Sequence, residues 1–439
     1  METASPSSPQ PTGRVRAAAR NLGWLLASRS VLAVLSLFYL GMATRALGVE
    51  GFGRFALITG AAQTLATLVA FQTWQIIVQY GVAPRAAGDQ AALGRLLRGS
   101  AILDLGSALV GVVLAWAILS IWGGALGIGP ALKRATLIFV LVQLVTIRST
   151  PLGILRLRDQ FALSALADSV TPVVRFVGAV TVWLVHPTVQ GFLVAWGAAE
   201  ILTAAAYWIT VARGGDLGLI LRSRGARQLP AEHPGIIRFA LSTNASATLG
   251  LSSKQVPVLL VGALVGPGAA GVFRLASQIA QALAKLSQLL SRAAFPEVVR
   301  TLRDAPRSAL APLVRRLFLG SALAAAVIML VVAVAGKPVL KLVGGRDFRD
   351  AWPILLWLTL AGCLDLAATG VDTVLTAMRR AERVLAIRVI GLGAMLAAIL
   401  WSRPAHDPTP VAIAVTIGSA TMTVLMTAAA LNLARSGRD

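Results

Sequence analysis

The sequence predicts an all-α polytopic membrane protein of about twelve transmembrane helices, set in two six-helix lobes related by a pseudo-twofold axis along the membrane normal. Three observations lead there: an apolar bulk too large for a soluble core, a series of segments long enough to cross a bilayer, and a turn motif that recurs in both halves. Of 439 residues, 56% are hydrophobic and 13% charged, whereas an ordinary soluble domain carries about 25% charged residues. Lipid is therefore the solvent for most of this chain.

A spanning helix needs about 20 mostly apolar residues. Such stretches lie at 22–44, 55–79, 101–121, 135–155, 161–185 and 189–211, and again at 237–265, 269–292, 313–335, 351–377, 384–401 and 411–433. Hydrocarbon offers no partner to a free backbone N–H or C=O, so these stretches must be helical, and the period-two pattern of a barrel is missing. The implied organisation is a disordered cytoplasmic tail over 1–21, a first lobe over 22–212, a linker over 213–236 holding Arg222, Arg224 and Arg227, a second lobe over 237–434 and a short tail over 435–439.

Basic residues orient the spans. With Met1 inside, cytoplasmic segments hold about 25 of the Lys and Arg and periplasmic loops about 9, which places both termini in the cytoplasm. The formal charge of +22 is then a topology signal, with attraction to anionic lipid as its secondary effect and no call for nucleic acid. Residues 1–20 lack the apolar centre of a cleavable signal peptide. The single cysteine, Cys363, lies in a span and permits neither a disulfide nor a zinc site.

The internal repeat is specific in place as well as in pattern. Gly48-Val-Glu-Gly-Phe-Gly-Arg-Phe55 stands between the first and second spans, and Gly266-Pro-Gly-Ala-Ala-Gly-Val-Phe273 between the seventh and eighth. Both read Gly-x4-Gly-x-Phe, and a glutamine follows at the same offset in each copy, Gln63 and Gln281. A tight hairpin between long helices needs glycine where the chain takes positive φ or passes close to another backbone.

On these residues the sequence resembles the polysaccharide-export branch of the multidrug/oligosaccharidyl-lipid/polysaccharide exporter superfamily, notably the O-antigen flippases. The likeness runs over nearly the whole chain and is carried by Arg45 to Leu57, by the turn Pro151 to Phe161, by Gly266 to Phe273 with the helix after it, and by Gly344 to Phe348. It implies two V-shaped lobes around a central cationic cavity, alternating access, and a cavity bordered by spans one, two, seven and eight.

Polar residues at bilayer depth are the site candidates, because each charge there costs at least about 2.5 kcal/mol and must face protein or water. In the eighth span Arg274, Gln278, Gln281, Lys285, Gln288 and Arg292 recur at steps of four and three and so share one helical face. That stripe reads either as the wall of a hydrated cationic cavity or as glutamines bonded to neighbouring helices between two snorkelling arginines. Lys285, two turns from the nearer end, favours the cavity. Arg29 in the first span and Lys254 in the seventh extend the cationic set, and Asn244 and Gln255 share one face of the seventh. In the fifth span Asp168 and Arg175 lie seven apart with Pro172 between them, and in the tenth Asp365 and Asp372 repeat that spacing. These four are switch or coupling candidates, with charge pairing as the alternative; Glu200 in the sixth is a further carboxylate open to pairing with an Arg of another helix.

No P-loop, no acyltransfer pair and no acidic metal cluster appears, and the three histidines fall in loops, so neither enzyme chemistry, a metal nor a cofactor is expected. The reading is a flippase for a lipid-linked oligosaccharide, taken from the resemblance to carry undecaprenyl pyrophosphate, in the inner membrane of a bacterium. Its partners are that lipid-linked oligosaccharide, membrane lipids and, through the pathway implied, a polysaccharide polymerase and glycosyltransferases. Two alternatives are an exporter of small cations, which an electropositive stripe opposes, and a non-transporting scaffold of a polymer-assembly complex.

Overall fold

A computed structural model describes residues 11–122, 130–284, 310–377, 381–404 and 406–436; side chains are described over most of that range from residue 35 onward, but not at 310–321 or 372–377. Every regular element among the described residues is helical. In order they are α1 (Pro11–Val69), α2 (Thr73–Ala86), α3 (Gln90–Trp122), α4 (Pro130–Val145), α5 (Ser149–Leu157), α6 (Phe161–Val185), α7 (Val189–Arg213), α8 (Asp216–Arg222), α9 (Leu229–Glu232), α10 (Ile236–Leu264), α11 (residues 267–284), α12 (Leu310–Gly344), α13 (Trp352–Ala377), α14 (Ala381–Ser402) and α15 (Thr409–Ser436). Among the described residues nine stretches are long and apolar enough to cross a membrane, ten if the bent α10 counts as one span. Their outer faces carry exposed Leu, Ile, Val and Trp side chains throughout, as lipid contact requires.

The first helix and two of the spans depart from the sequence expectation. The first helix starts at Pro11, inside the segment expected to be disordered, because the Ala- and Arg-rich run after it is a good helix former and prolongs the span beyond the bilayer. The linker over 213–236 is folded, holding α8, a 3₁₀ turn at Ala226–Gln228 and α9. The second and fourth spans are broken, at residues 70–72 and 146–148.

The two breaks are joined by one carboxylate. Asp104 of α3, 5% exposed, accepts from Thr73 Oγ1 (2.9 Å), Thr150 Oγ1 (2.7 Å) and the Thr150 amide (3.1 Å). The Trp74 amide donates to Ser149 Oγ at 3.1 Å. The half-helices α2 and α5 thus have their first-turn donors capped from outside, which a helix end without water requires. They also pack closely: a Cβ on Gly153 would sit 2.8 Å from the Trp74 Cα. Replacing Asp104 by alanine strands three buried donors, so a loss of about 2–4 kcal/mol is expected, read as a lower thermal midpoint by tryptophan fluorescence in detergent. Asp104→Asn, which keeps an acceptor, should lose less.

The repeated glycine turns meet. Gly48 (φ 65°) and Gly266 (φ 123°) take the left-handed region that favours glycine. The second glycines of the two motifs touch: a Cβ on Gly53 would fall 1.7 Å from the Pro267 carbonyl oxygen, and one on Gly271 would fall 2.7 Å from that of Val49. Phe55 and Phe273, the last motif residues, are both buried in the main core. At the same end Phe52 meets Phe348 edge-on, with ring centroids 6.2 Å apart, Thr44 Oγ1 donates to the Val343 carbonyl at 3.1 Å, and Arg45 donates to the Leu342 carbonyl. The first and second halves are therefore closed against each other at the end that carries the motif turns.

Candidate functional site

Further along the same inter-half contact, α10 turns the Asn244 and Gln255 face toward the first half. Asn244 Nδ2 donates to the Ala70 carbonyl (2.6 Å), satisfying the broken second span, and Gln255 lies against Gly60 of α1. Gln255 Oε1 accepts from Arg274 of α11 at 2.8 Å. Gln278, in the amide orientation that satisfies both groups, accepts from Arg274 Nη2 (3.0 Å) and Nε (3.3 Å). Arg274 is thus held by two glutamine oxygens, which leave its charge uncancelled.

The first half supplies the rest of the cluster. Glu200, in the middle of α7 and 2% exposed, accepts from Arg148 through Oε2 at 2.5 Å and from Arg175 through Oε1 at 2.7 Å. Arg148 stands in the break between α4 and α5, and Arg175 lies midway along α6. The Arg175 guanidinium also lies over the Trp196 ring, 5.4 Å from its centroid, and Trp196 packs edge-on against Tyr39 at 5.2 Å. Arg175 is near enough to Arg274 for their like charges to interact across the contact between the halves. α6 and α7 each run 25 residues, about 37 Å, so Arg175 and Glu200 sit near mid-bilayer. Arg148 and Arg175 share this one buried carboxylate, and Arg274 adds a third guanidinium from the second half, an excess of positive charge that persists in lipid only if it faces protein, water or an anion.

A second polar region lies within the second half. A cavity of about 380 Å³ is lined by α10, α11, α13, α14 and α15. Lys254, Asp365 and Arg388 project into it beside Ser253, Ser277, Gln281 and Ser419. Ser419 bonds the Asp365 carboxylate, and Lys254 and Arg388 both act on it electrostatically. Gln281 Nε2 donates to Ser277 Oγ at 2.9 Å.

The sequence candidates therefore divide. Arg274 and Gln278 face the contact between the halves, whereas Lys254 and Gln281, expected in the same cavity, line the second-half pocket with Asp365. Asp168 and Arg175 are not paired with each other as their spacing allowed: Arg175 goes to Glu200, and Asp168 accepts from Tyr207 Oη at 2.7 Å. At seven residues the two side chains are two turns apart, and partners on α7 are nearer than either is to the other. Arg29 and Asp372 lie in α1 and α13, but their side chains fall outside the described ones; Lys285, Gln288 and Arg292 lie outside the described residues altogether. Sequence reasoning missed Arg148, Asp104 and Arg388. The signal for each was the one used elsewhere, a charge inside an apolar stretch. Among the described residues no three His, Cys, Asp or Glu side chains converge as metal ligands.

The apolar helices and the charges buried among them define a multi-pass membrane protein. Residues 18–302 match the family model described as polysaccharide biosynthesis protein. The chain belongs to that family. It is 28% identical over 353 residues to the inner membrane protein YghQ of Escherichia coli (strain K12), covering 78% of this chain and 97% of that one. Its fold is shared with the lipid II flippase MurJ in an inward closed conformation, at a TM-score of 0.70 and 12% identity over 92% of this chain and 87% of that one. An inward-facing multidrug resistance transporter of the MATE family matches at 0.64 with 16% identity, over 93% and 98% of the two chains.

Proposed function

We propose that this protein moves a lipid-linked, anionic oligosaccharide across the bacterial inner membrane by alternating access, for surface polysaccharide assembly. The observation that carries the reading is the excess of guanidinium groups over the carboxylate they surround: Arg148 and Arg175 bonded to Glu200 in the first half, with Arg274 near them from the second. A cationic cargo would meet repulsion there, and an anionic one attraction. Membership in a polysaccharide biosynthesis family supports a glycan as cargo, and the similarity to an inner membrane protein supports the location. With both termini cytoplasmic, the closed end of the molecule faces the periplasm, so this state would receive cargo from inside.

The hydrocarbon tail of such a cargo stays in lipid while its phosphates follow the arginines, and the serine and glutamine groups of the second-half cavity suit sugar hydroxyls. The test is reconstitution in vesicles with an undecaprenyl-pyrophosphate-linked oligosaccharide, following appearance of the sugar on the far leaflet. Wild type should move it; Lys254→Ala and Lys285→Ala should each slow movement about tenfold, as loss of one charge-assisted hydrogen bond implies. Wild-type protein that leaves the lipid in place while exporting a cationic dye would end this reading in favour of a cation exporter.

A further inference from the structure

Arg148 and Arg175 hold Glu200 from one side only. The carboxylate is 2% exposed, whereas the Arg148 and Arg175 side chains are 32% and 22% exposed. Glu200 therefore lies behind the two guanidinium groups, each of which gives it one terminal nitrogen. A guanidinium carries five N–H donors in a planar fork. Each guanidinium therefore keeps donors that Glu200 does not use, and Arg175 Nε is buried without a hydrogen-bond partner among the described residues. The Thr150 amide, at the start of α5 two residues after Arg148, is already bound by Asp104.

Two arginines drawn together on a shared carboxylate, with donors still unused, make a forked receptor for a tetrahedral oxyanion. The charge of Arg274 acts on Arg175 from the opposite half, so an anion held at the fork is also attracted by the second half. Asp168 two turns away is engaged by Tyr207. Trp196 beneath the Arg175 guanidinium fixes its plane.

We propose that Arg148 and Arg175 form a diphosphate-binding fork in the first half of the protein, with Glu200 as the residue that positions it. The inference rests on the flippase reading for the source of the diphosphate, a prenyl-linked one, but the fork can be tested without any transport. The full-length protein in nanodiscs is treated with phenylglyoxal, and labelling of each arginine is read by peptide mass spectrometry. The probes are farnesyl diphosphate and inorganic pyrophosphate, and Arg95, paired with Glu232 at 2.8 Å, is the control.

Both probes should slow labelling of Arg148 and Arg175 by about fivefold or more and leave Arg95 unchanged, with farnesyl diphosphate acting at the lower concentration because its tail partitions into lipid. Arg148→Gln and Arg175→Gln should each weaken farnesyl diphosphate binding about tenfold. Glu200→Asp, which keeps the charge but shortens the reach, should retain more binding than Glu200→Gln. Unchanged labelling at both arginines in the wild type overturns the fork even where the variants fail to fold. So does protection produced merely by replacing phosphatidylcholine with phosphatidylglycerol in the disc, which would make this a headgroup contact. Protection without transport of lipid-linked oligosaccharide leaves the fork standing and removes the flippase reading; transport without protection does the reverse.

Discussion

Gly53→Ala is expected to force apart the end of the molecule at which the two glycine turns meet. The new Cβ would lie 1.7 Å from the Pro267 carbonyl oxygen, and that oxygen belongs to backbone next to the Gly266 turn, so no side-chain rotation relieves the clash. One side must retreat by more than an ångström, and the contacts of Phe52 with Phe348 and of Thr44 with Val343 go with it. Overpacking a tight contact costs about 1–3 kcal/mol, which lowers the closed population by a factor of about 5 to 150. The measurement is cross-linking of Phe52→Cys with Phe348→Cys in a Cys363→Ala background. Yield should be high with glycine at 53 and fall at least several-fold with alanine, and transport should fall with it. Gly271→Ala should behave similarly, since its Cβ meets Val49 and Gly53 backbone. Equal cross-linking in all three backgrounds would mean that the close approach at Gly53 and Gly271 does not hold this end closed.

The readability of this contact from sequence has a simple cause. A glycine needed for positive φ, or for backbone passing against backbone, has no substitute, so the repeated Gly-x4-Gly-x-Phe pattern marks both turns; that the two copies would touch each other needed the structure. Charge partners are different. Arg175 had two acids within plausible reach, Asp168 on its own helix and Glu200 on the next, and sequence spacing favours the first while the packing of α6 on α7 selects the second. Asp104 escaped notice because its role depends on two helix breaks, at residues 70–72 and 146–148, within stretches that read as continuous spans. The eighth-span stripe was legible as a face, yet its described members part company: Arg274 and Gln278 serve the contact between the halves and Gln281 the cavity within one half, because α11 stands between them.

The buried triad of Arg148, Arg175 and Glu200 offers a way to separate function from stability. Removing one partner of a buried ion pair leaves a charge without compensation, so Glu200→Gln should cost about 3–5 kcal/mol. Replacing all three together by Arg148→Met, Arg175→Met and Glu200→Leu removes the desolvation penalty along with the attraction, and buried pairs replaced by apolar groups of similar volume commonly hold or gain stability. Methionine at 175 also keeps a favourable contact with the Trp196 ring. The triple variant is thus expected to melt at or above the wild-type temperature by tryptophan fluorescence in detergent, while Glu200→Gln melts well below it. Transport in vesicles should be lost in the triple variant despite its stability. The reasoning is that lipid-embedded charges are costly to insert, so a cluster that can be deleted without harm to the fold is retained for what it binds. A triple variant that unfolds as readily as Glu200→Gln would instead make the triad a structural clasp between α5, α6 and α7, and the anionic cargo would have to be held by Arg274 and the second half alone.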